Sequence, residues 1–284
     1  MSYPAKLTSM ADLLRLLPAV IVAVSLAGCS SQPARDDSHE ILNAALWTQT
    51  AAEYAANALQ AYSLATANLD LALADSQWTA ALEQQGSDFA SLPAAVILDL
   101  DQTVLDTSSY NAAIVLQHGS HSRENFNSWC RQDTAPAIPG ATDFVEHAVA
   151  SGVAVFYISA RHESIRDCTA RNLLSLGLPL PSQDRLLLRA ATAATSKTAH
   201  RASVAAQYRI LLLVGDNLDD FMAGSRKDPA ARQALASRYT ARWGREWIIL
   251  PNPMYGAWDT SLYEYEYALS RDEILQRKLQ QLQR

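Results

Sequence analysis

The sequence contains short runs of consecutive apolar residues that are too brief for helices and do not alternate with polar residues. They lie at residues 93–99, 153–159, 210–216 and 247–250, with a shorter run at residues 186–188. Such runs are typical of strands buried on both faces, as in a parallel sheet. Helical patterns at residues 143–150 and 164–176 separate some of them, the second followed by Gly177 at a C-cap position. The alternation predicts an α/β fold built on a doubly wound parallel sheet.

The rest of the chain is predicted to be mainly helical. Residues 40–81 lack Gly and Pro and place Leu and Tyr at helical spacing, which predicts two helices. We expect residues 40–92 to form N-terminal helices associated with a cap, and residues 93–284 to form the core domain. Residues 107–138 show no clear strand and predict a smaller, mostly helical cap. In such folds ligands bind beyond the carboxyl ends of the strands, so this insertion would cover the site.

The first residues have the pattern of a targeting segment. Basic residues precede an apolar run at residues 16–26 that is too short to anchor a chain across a bilayer. The run ends in Leu-Ala-Gly followed by Cys29, which resembles the lipobox of bacterial lipoproteins. This resemblance implies a signal peptide at residues 1–28, acylation of Cys29 and a tether at residues 29–39. An ordinary secretory signal with an incidental cysteine is the alternative.

The residues near and beyond this cysteine bear on the cellular compartment. Ser30 rather than Asp follows Cys29. By the same resemblance this implies a lipid anchor in the bacterial outer membrane, on the periplasmic or cell-surface side. An oxidising periplasm would permit a disulfide between Cys130 and Cys168. Two free buried thiols are the equal alternative, because the sequence does not fix the distance between them.

Composition and charge narrow the possible functions without identifying one. The 284 residues are 49% apolar and 18% charged, which excludes an intrinsically disordered chain. The net charge is −6 and there is no long basic run, so we do not expect nucleic acid as a partner.

Two aspartates at the end of the first predicted strand carry the strongest chemical signal. Asp99 closes the apolar run and Asp101 follows two residues later. One carboxylate of such a pair can attack phosphorus, and the other can protonate the departing oxygen and then activate water. Neighbouring carboxylates also need a cation, and their hard oxygens select Mg²⁺. Asp216 and Asp220, after another predicted strand, supply further oxygen ligands.

A phosphoryl group also needs hydrogen-bond donors and positive charge. Ser159 ends the second predicted strand near the start of a helix, where backbone amides favour an anion; a helix N-cap is the other interpretation. Lys197 could place its charge on the phosphoryl oxygens, although a solvated lysine at a helix start is the simpler alternative. Each motif alone is weak. Their order, each after an apolar run, indicates a catalytic site.

In this order the motifs resemble those of the haloacid dehalogenase (HAD) superfamily, and the second aspartate is typical of its phosphatase branch. The finer resemblance is to the secreted lipoprotein acid phosphatases of class C, also called lipoprotein 5′-nucleotidases. The matching segments are DLDQTVLD at 99–106, FYISAR at 156–161, GDNLDDF at 215–221 and LPNPMYGAW at 250–258. The likeness covers most of the chain after Cys29 and implies a HAD-like core with a helical cap.

The resemblance implies a role for each matching position in the reaction. Asp99 would be the nucleophile and Asp101 the general acid and base. Mg²⁺ would be held by the Asp99 carboxylate, the Asp101 backbone carbonyl and Asp216. Asp220 would orient Lys197 or a metal-bound water.

The resemblance also implies which residues bind the substrate. The phosphoryl group would be bound by Ser159, the backbone amide of Ala160, and Lys197, with Thr103 supporting the site. Tyr255 and Trp258 would hold a nucleobase by stacking, which tolerates different bases. The implied function is a Mg²⁺-dependent acid phosphatase that hydrolyses nucleoside 5′-monophosphates through an aspartyl-phosphate. The alternatives are a lipid-anchored binding protein that has lost catalysis and a phosphotransferase on the same fold.

The residues at several positions do not decide which substrate the protein prefers. Gln102 stands where the family usually has Glu, and Ala160 where it usually has Asn, which puts substrate preference and pH optimum in doubt more than reaction class. Arg161 could grip the substrate or pair with a surface acid. His118 and His121 could contact a leaving group, although exposed loop histidines are the simpler interpretation.

Overall fold

A five-stranded parallel sheet organises the described part of this computed structural model, which comprises residues 40–180, 182–190 and 196–283. The strands are β1 (Ala94–Leu98), β2 (Ala154–His162), β3 (Leu186–Arg189), β4 (Arg209–Gly215) and β5 (Trp247–Ile249). They lie in the order β3-β2-β1-β4-β5, and each neighbouring pair is parallel. The predicted α/β fold is confirmed, and each apolar run forms a strand.

Ten α-helices of the described residues precede, separate and follow the strands. The first five are α1 (Leu42–Thr50), α2 (Ala52–Ala74), α3 (Ser108–Leu116), α4 (Arg123–Cys130) and α5 (Ala141–Ala150). They are followed by α6 (Arg166–Ser175), α7 (Lys197–Ala205), α8 (Pro229–Arg238), α9 (Ala257–Ser261) and α10 (Arg271–Gln280). Gly177 adopts a left-handed φ of 75° just after α6, as its predicted C-cap position requires.

Both faces of the sheet are buried, which explains why its strands read as continuous apolar runs. In β1, Val96 and Leu98 belong to one hydrophobic cluster, while Ala95 and Ile97 belong to another. The first cluster includes residues of α2, α5 and α6, and the second includes residues of α7. Since successive side chains of a strand point to opposite faces, helices cover β1 on both sides.

The two N-terminal helices differ in position. α1 contacts α3, which lies in the predicted insertion, whereas α2 packs against α5 and the strands β4 and β5. The Tyr62 hydroxyl of α2 donates a hydrogen bond of 2.6 Å to the carbonyl of Thr103, in the loop that carries the paired aspartates. α2 is therefore part of the core beneath that loop, which differs from the expectation that both helices associate with the cap.

The insertion is helical as predicted and is joined to the core by a disulfide. It contains α3 and α4, and Cys130 at the end of α4 pairs with Cys168 in α6 across a Cα–Cα distance of 5.9 Å. The alternative of two free thiols is therefore wrong. Nearby side chains, including Phe126, Trp129 and Ile165, form a small hydrophobic cluster around the bridge.

Removing this disulfide is expected to destabilise the fold. The bridge joins residues separated by 38 positions, and a loop of that length corresponds to about 4 kcal/mol of chain entropy in the unfolded state. We therefore expect the Cys130→Ala/Cys168→Ala protein to lose about this much free energy of unfolding in a urea titration. The wild-type protein in dithiothreitol should match the double variant. An unchanged midpoint in both would contradict the pairing.

The membrane predictions concern residues outside this description. The predicted signal peptide at residues 1–28, Cys29 and the whole tether at residues 29–39 precede residue 40. Among residues 40–180, 182–190 and 196–283, no helix combines the length and apolar character needed to cross a bilayer.

Candidate active site

Three aspartates meet at the carboxyl edge of the sheet. Asp99 directly follows β1 and Asp216 directly follows β4, and these neighbouring strands pair Leu98 with Val214. The backbone N–H of Asp99 extends the pairing with a 2.9 Å hydrogen bond to the carbonyl of Val214. Asp220 lies in the short helical turn after Asp216. Each of the three aspartates contributes one carboxylate oxygen to a group in which all lie within 4.8 Å of one another.

Lys197 places a positive charge among these carboxylates. It is the first residue of α7, which is capped by the Ser196 hydroxyl accepting a hydrogen bond from a backbone N–H. Its ammonium pairs with Asp99 Oδ1 and lies 2.5 Å from Asp220 Oδ1. The Lys197 side chain is only 16% exposed. Lys197 is therefore part of the buried site, and the interpretation of a solvated helix-start lysine is wrong.

One ammonium faces three carboxylates, of which those of Asp99 and Asp220 are buried and that of Asp216 is half-buried. Burial raises the pKa of Asp99 to about 7; Lys197 lowers it, while Asp220 and Asp101 raise it. Burial, followed by Asp99 and Asp220, raises the pKa of Asp216 well above its ordinary value. Burial alone would lower the pKa of Lys197, but the carboxylates outweigh it and raise that pKa. The carboxylates of the cluster thus repel one another when they are ionised, and their oxygen donors suit a hard divalent cation such as Mg²⁺.

Asp220 is already engaged by the protein. Its Oδ2 accepts hydrogen bonds from the backbone N–H groups of Asp216 (3.1 Å) and Asn217 (2.9 Å), and its Oδ1 pairs with Lys197. A Cβ at Gly215 would lie 2.3 Å from Asp220 Oδ2, so only glycine leaves room for this arrangement. The geometry favours Asp220 as the residue that orients Lys197, and leaves Asp99 and Asp216 as the better cation ligands.

Asn252 is a site residue that the sequence reasoning did not single out. It follows β5, and its Nδ2 donates a 2.7 Å hydrogen bond to Asp216 Oδ2. The available signal was its place in the LPNPMYGAW segment, just beyond the carboxyl end of a predicted strand. Asn252 orients the Asp216 carboxylate for the cluster.

The Asp101 carboxylate is held by residues outside the carboxylate cluster. Arg161 Nη2 lies 2.8 Å and Nε 3.0 Å from Asp101 Oδ1, and Ser159 Oγ lies 3.5 Å from Asp101 Oδ2. Arg161 therefore pairs with the predicted acid/base, so of its two alternatives the one in which it pairs with a surface acid is wrong. The Asp101 side chain is thus beside the cluster, close to Ser159.

Ser159 lies within its strand, not at the end. β2 continues to His162 and α6 begins at Arg166, so Ser159 does not adjoin a helix start. The predicted supply of amides from that helix and the N-cap interpretation are both wrong. Ser159 is buried and accepts a 3.1 Å hydrogen bond from the Arg161 N–H, whereas Ala160 is exposed on the opposite side of the strand. Phosphate binding by Ser159 and Ala160 stays a prediction.

The loop between the paired aspartates is held by buried polar contacts. The Thr103 hydroxyl donates to Asp99 Oδ2 at 3.4 Å. Gln102 is fully buried with a left-handed φ of 58°. Its Oε1 accepts hydrogen bonds from the N–H (2.6 Å) and hydroxyl (2.9 Å) of Thr107, and its Nε2 donates to the Tyr54 hydroxyl at 3.1 Å. The amide that replaces a family carboxylate at this position therefore bonds to Tyr54 and Thr107.

The segment that resembled a base-stacking loop borders the site. The Tyr255 hydroxyl lies 2.9 Å from Thr107 Oγ1, and burial together with Asp101 and Asp216 raises the pKa of Tyr255 well above its ordinary value. Trp258 is 40% exposed and donates its indole N–H to the carbonyls of Asn252 and Tyr255, both at 3.1 Å. Trp258 thus also stabilises the loop that carries Asn252.

The two histidines of the insertion differ in their surroundings. His118 is exposed in the turn after α3. His121 Nδ1 lies 2.9 Å from the Tyr110 hydroxyl, and its ring also packs near Phe126. His121 is therefore part of an aromatic group within the insertion, and neither histidine belongs to the carboxylate cluster.

Comparisons with known proteins agree with this geometry. The sequence profile of the HAD superfamily, subfamily IIIB (acid phosphatase), matches residues 19–258. The structure is similar to the class C acid phosphatase from Bacillus anthracis, solved also with tungstate bound, with a TM-score of 0.76 and 33% identity over 86% of this chain and 96% of that chain. Acid phosphatase 1 from Solanum lycopersicum is 27% identical over 165 residues. That alignment covers 56% of this chain and 57% of the tomato protein.

The profile match spans the paired aspartates, Lys197 and the GDNLDD segment, and thus every member of the carboxylate cluster. The chain therefore belongs to the acid phosphatases of HAD superfamily subfamily IIIB.

Proposed function

We propose that the protein is a Mg²⁺-dependent acid phosphatase that hydrolyses phosphomonoesters through a phosphorylated Asp99. The observation that carries the proposal is the buried group of Asp99, Lys197, Asp216 and Asp220, with Asp101 beside it. Such a group combines a nucleophile, a positive charge and oxygen ligands at one edge of the sheet.

The chain's own residues account for both halves of the reaction. In the first step the Asp99 carboxylate attacks phosphorus, the bond to the leaving oxygen breaks, and Asp101 gives that oxygen its proton. In the second step Asp101 accepts a proton from water as the water oxygen attacks phosphorus. The bond between the Asp99 oxygen and phosphorus breaks, phosphate leaves, and both aspartates return to their starting states.

In this proposal, Lys197 and a bound cation together offset the negative charge of the carboxylates and the phosphoryl group. Lys197 already touches Asp99, so a phosphoryl group on that residue would lie within reach of its ammonium. The Asp99 and Asp216 carboxylates, with the backbone carbonyl of Asp101, would hold Mg²⁺. When bound, Mg²⁺ would offset the repulsion between these carboxylates and the phosphoryl oxygens.

For the substrate, we propose nucleoside 5′-monophosphates. The Bacillus anthracis relative has been solved with tungstate, a tetrahedral oxyanion of the phosphate kind, and it is 33% identical to this chain. The resemblance to lipoprotein 5′-nucleotidases adds the nucleoside part. Tyr255 borders the site and Trp258 is exposed nearby, so both are candidates for stacking on a base.

We propose that the enzyme acts at the bacterial outer membrane. The lipobox-like segment ending at Cys29 and the following Ser30 support a lipid anchor there. The disulfide between Cys130 and Cys168 is compatible with an oxidising periplasm. Dephosphorylation at that location would precede uptake of the nucleoside.

Removal of the metal is expected to stop the reaction. With Mg²⁺, the protein should release phosphate from a panel of nucleoside 5′-monophosphates and from p-nitrophenyl phosphate. EDTA should lower the rate by about 100-fold or more, because no cation would then offset the repulsion between the ionised carboxylates and the phosphoryl group. Phosphate release measured with a colorimetric assay tests this.

The matched control restores the metal. Readdition of Mg²⁺ after EDTA should recover the rate, whereas Ca²⁺, which is larger and prefers more ligands, should not. Absence of activity on every substrate in every metal condition would reject the proposed function, and isothermal titration would then test for binding without turnover.

A further inference from the structure

Arg161 is a buried cation that forms an ion pair with Asp101, the predicted acid/base of the site. Its side chain is 1% exposed, although arginine is rarely buried to this extent unless it is paired. Nη2 and Nε lie 2.8 and 3.0 Å from Asp101 Oδ1, and Nε lies 3.2 Å from Asp101 Oδ2. A charge-assisted pair of this kind fixes the orientation of a carboxylate as well as its distance.

The other side of the guanidinium contacts residues of α4 and α6. Nη1 donates a 3.0 Å hydrogen bond to Thr169 Oγ1 in α6 and lies 3.7 Å from Cys130 Sγ in α4. The rings of Phe126 and Trp129, also in α4, have their centroids 5.4 and 5.9 Å from the Arg161 Cζ. Arg161 is therefore fixed between the insertion and the core.

Asp101 depends on this contact for its orientation. Asp101 lies in the loop after β1, and its side chain is 18% exposed. Besides Arg161, its carboxylate contacts the Ser159 hydroxyl, at the longer distance of 3.5 Å. Asp99, by contrast, is held by Lys197 and Thr103. A proton donor must be within hydrogen-bond reach of the leaving oxygen, so a misplaced Asp101 would slow the first step.

We propose that Arg161 is a positioning residue that holds the Asp101 carboxylate for proton transfer and acts on the reaction only through Asp101. This inference rests on the proposed function, in which Asp101 protonates the leaving oxygen. The competing role is direct binding of the phosphoryl group by Arg161. The geometry favours positioning, because the Nε and Nη2 side of the guanidinium is already occupied by Asp101.

The test compares leaving groups that differ in their need for a proton. An alkoxide leaves poorly without protonation, whereas p-nitrophenolate leaves readily. We expect Arg161→Lys and Arg161→Gln to lower kcat/KM for glycerol 2-phosphate by about 30-fold and for p-nitrophenyl phosphate by less than about 3-fold. The ratio of the two rates does not depend on how much of each variant is folded, so it excludes a general structural defect.

Two further measurements separate positioning from phosphate binding. Inhibition by inorganic phosphate should be unchanged in the Arg161 variants. In an Asp101→Asn background, Arg161→Gln should not lower kcat/KM further, because the group through which Arg161 acts has already been removed. The matched control is Arg171→Gln, which removes an exposed arginine paired with Asp133 at 2.7 Å and should leave both substrates unaffected.

The outcomes are distinguishable. Equal losses on both substrates together with weaker phosphate inhibition would assign Arg161 to phosphate binding and overturn the proposal. Additive losses in the double variant would also overturn it. A wild-type protein that hydrolyses neither substrate would reject the proposed function, whereas an active wild type with unaltered Arg161 variants would reject the positioning role alone.

Discussion

Asp99→Asn is expected to reduce kcat for every phosphomonoester by about 10⁴-fold or more, since loss of an enzyme's nucleophile typically has an effect of this size. Asp99 is 4% exposed, lies against Lys197 and directly follows a central strand, so no other carboxylate of the cluster has the same position. An amide of the same shape cannot form the proposed aspartyl-phosphate. Phosphate release measured under single-turnover conditions tests this expectation.

The control variant is Asp101→Asn. It changes the other aspartate of the pair and should lower turnover while leaving the binding of inorganic phosphate or tungstate largely intact, because Lys197 and the other cluster residues remain. Isothermal titration in Mg²⁺ measures this binding. An Asp99→Asn protein as active as the wild type would contradict the assignment of the nucleophile.

The sequence was sufficient to predict the sheet and the edge at which the site lies. Parallel strands buried on both faces must be apolar along their whole length, so each one stands out from the helices. Asp99 and Asp216 follow two such strands directly, and adjacent parallel strands bring their carboxyl ends together. The grouping of these residues was therefore predictable before any side-chain position was known.

The partners of these residues were not predictable in the same way. Arg161 and Asn252 act through contacts with residues 60 and 36 positions away, and hydrophobic periodicity carries no information about such pairs. Nor could the spacing of Cys130 and Cys168 show that a disulfide joins α4 to α6. These contacts depend on how the insertion packs on the core.

The exact ends of the strands also could not be predicted from the pattern of apolar residues. The apolar run of β2 stops at Ile158, but the strand continues to His162, which pairs with Arg189 of β3, and the buried Arg161 within this extension meets Asp101 and the aromatic rings of α4. A charged residue inside a strand is normally evidence against that strand. Here a specific ion pair overrides the local preference, and Ser159 is consequently placed inside β2.

Lys197→Met is expected to make the stability of the protein strongly dependent on Mg²⁺. The substitution removes the ammonium that pairs with both Asp99 and Asp220, and removing one partner of a buried ion pair typically costs about 3–5 kcal/mol. For a chain of this length the melting temperature in EDTA should fall by about 10 °C. Activity should also fall sharply, because the phosphoryl oxygens lose their positive contact.

Mg²⁺ should restore more stability to this variant than to the wild type, because a bound cation replaces part of the missing charge. Thermal unfolding followed by circular dichroism, with and without Mg²⁺, tests this. Lys278→Met is the matched control: Lys278 also bridges two carboxylates, those of Glu40 and Asp259, but lies outside the cluster. Its loss should lower stability equally in Mg²⁺ and EDTA. The same response to Mg²⁺ in both variants would mean that Lys197 does not share its charge-balancing role with a cation.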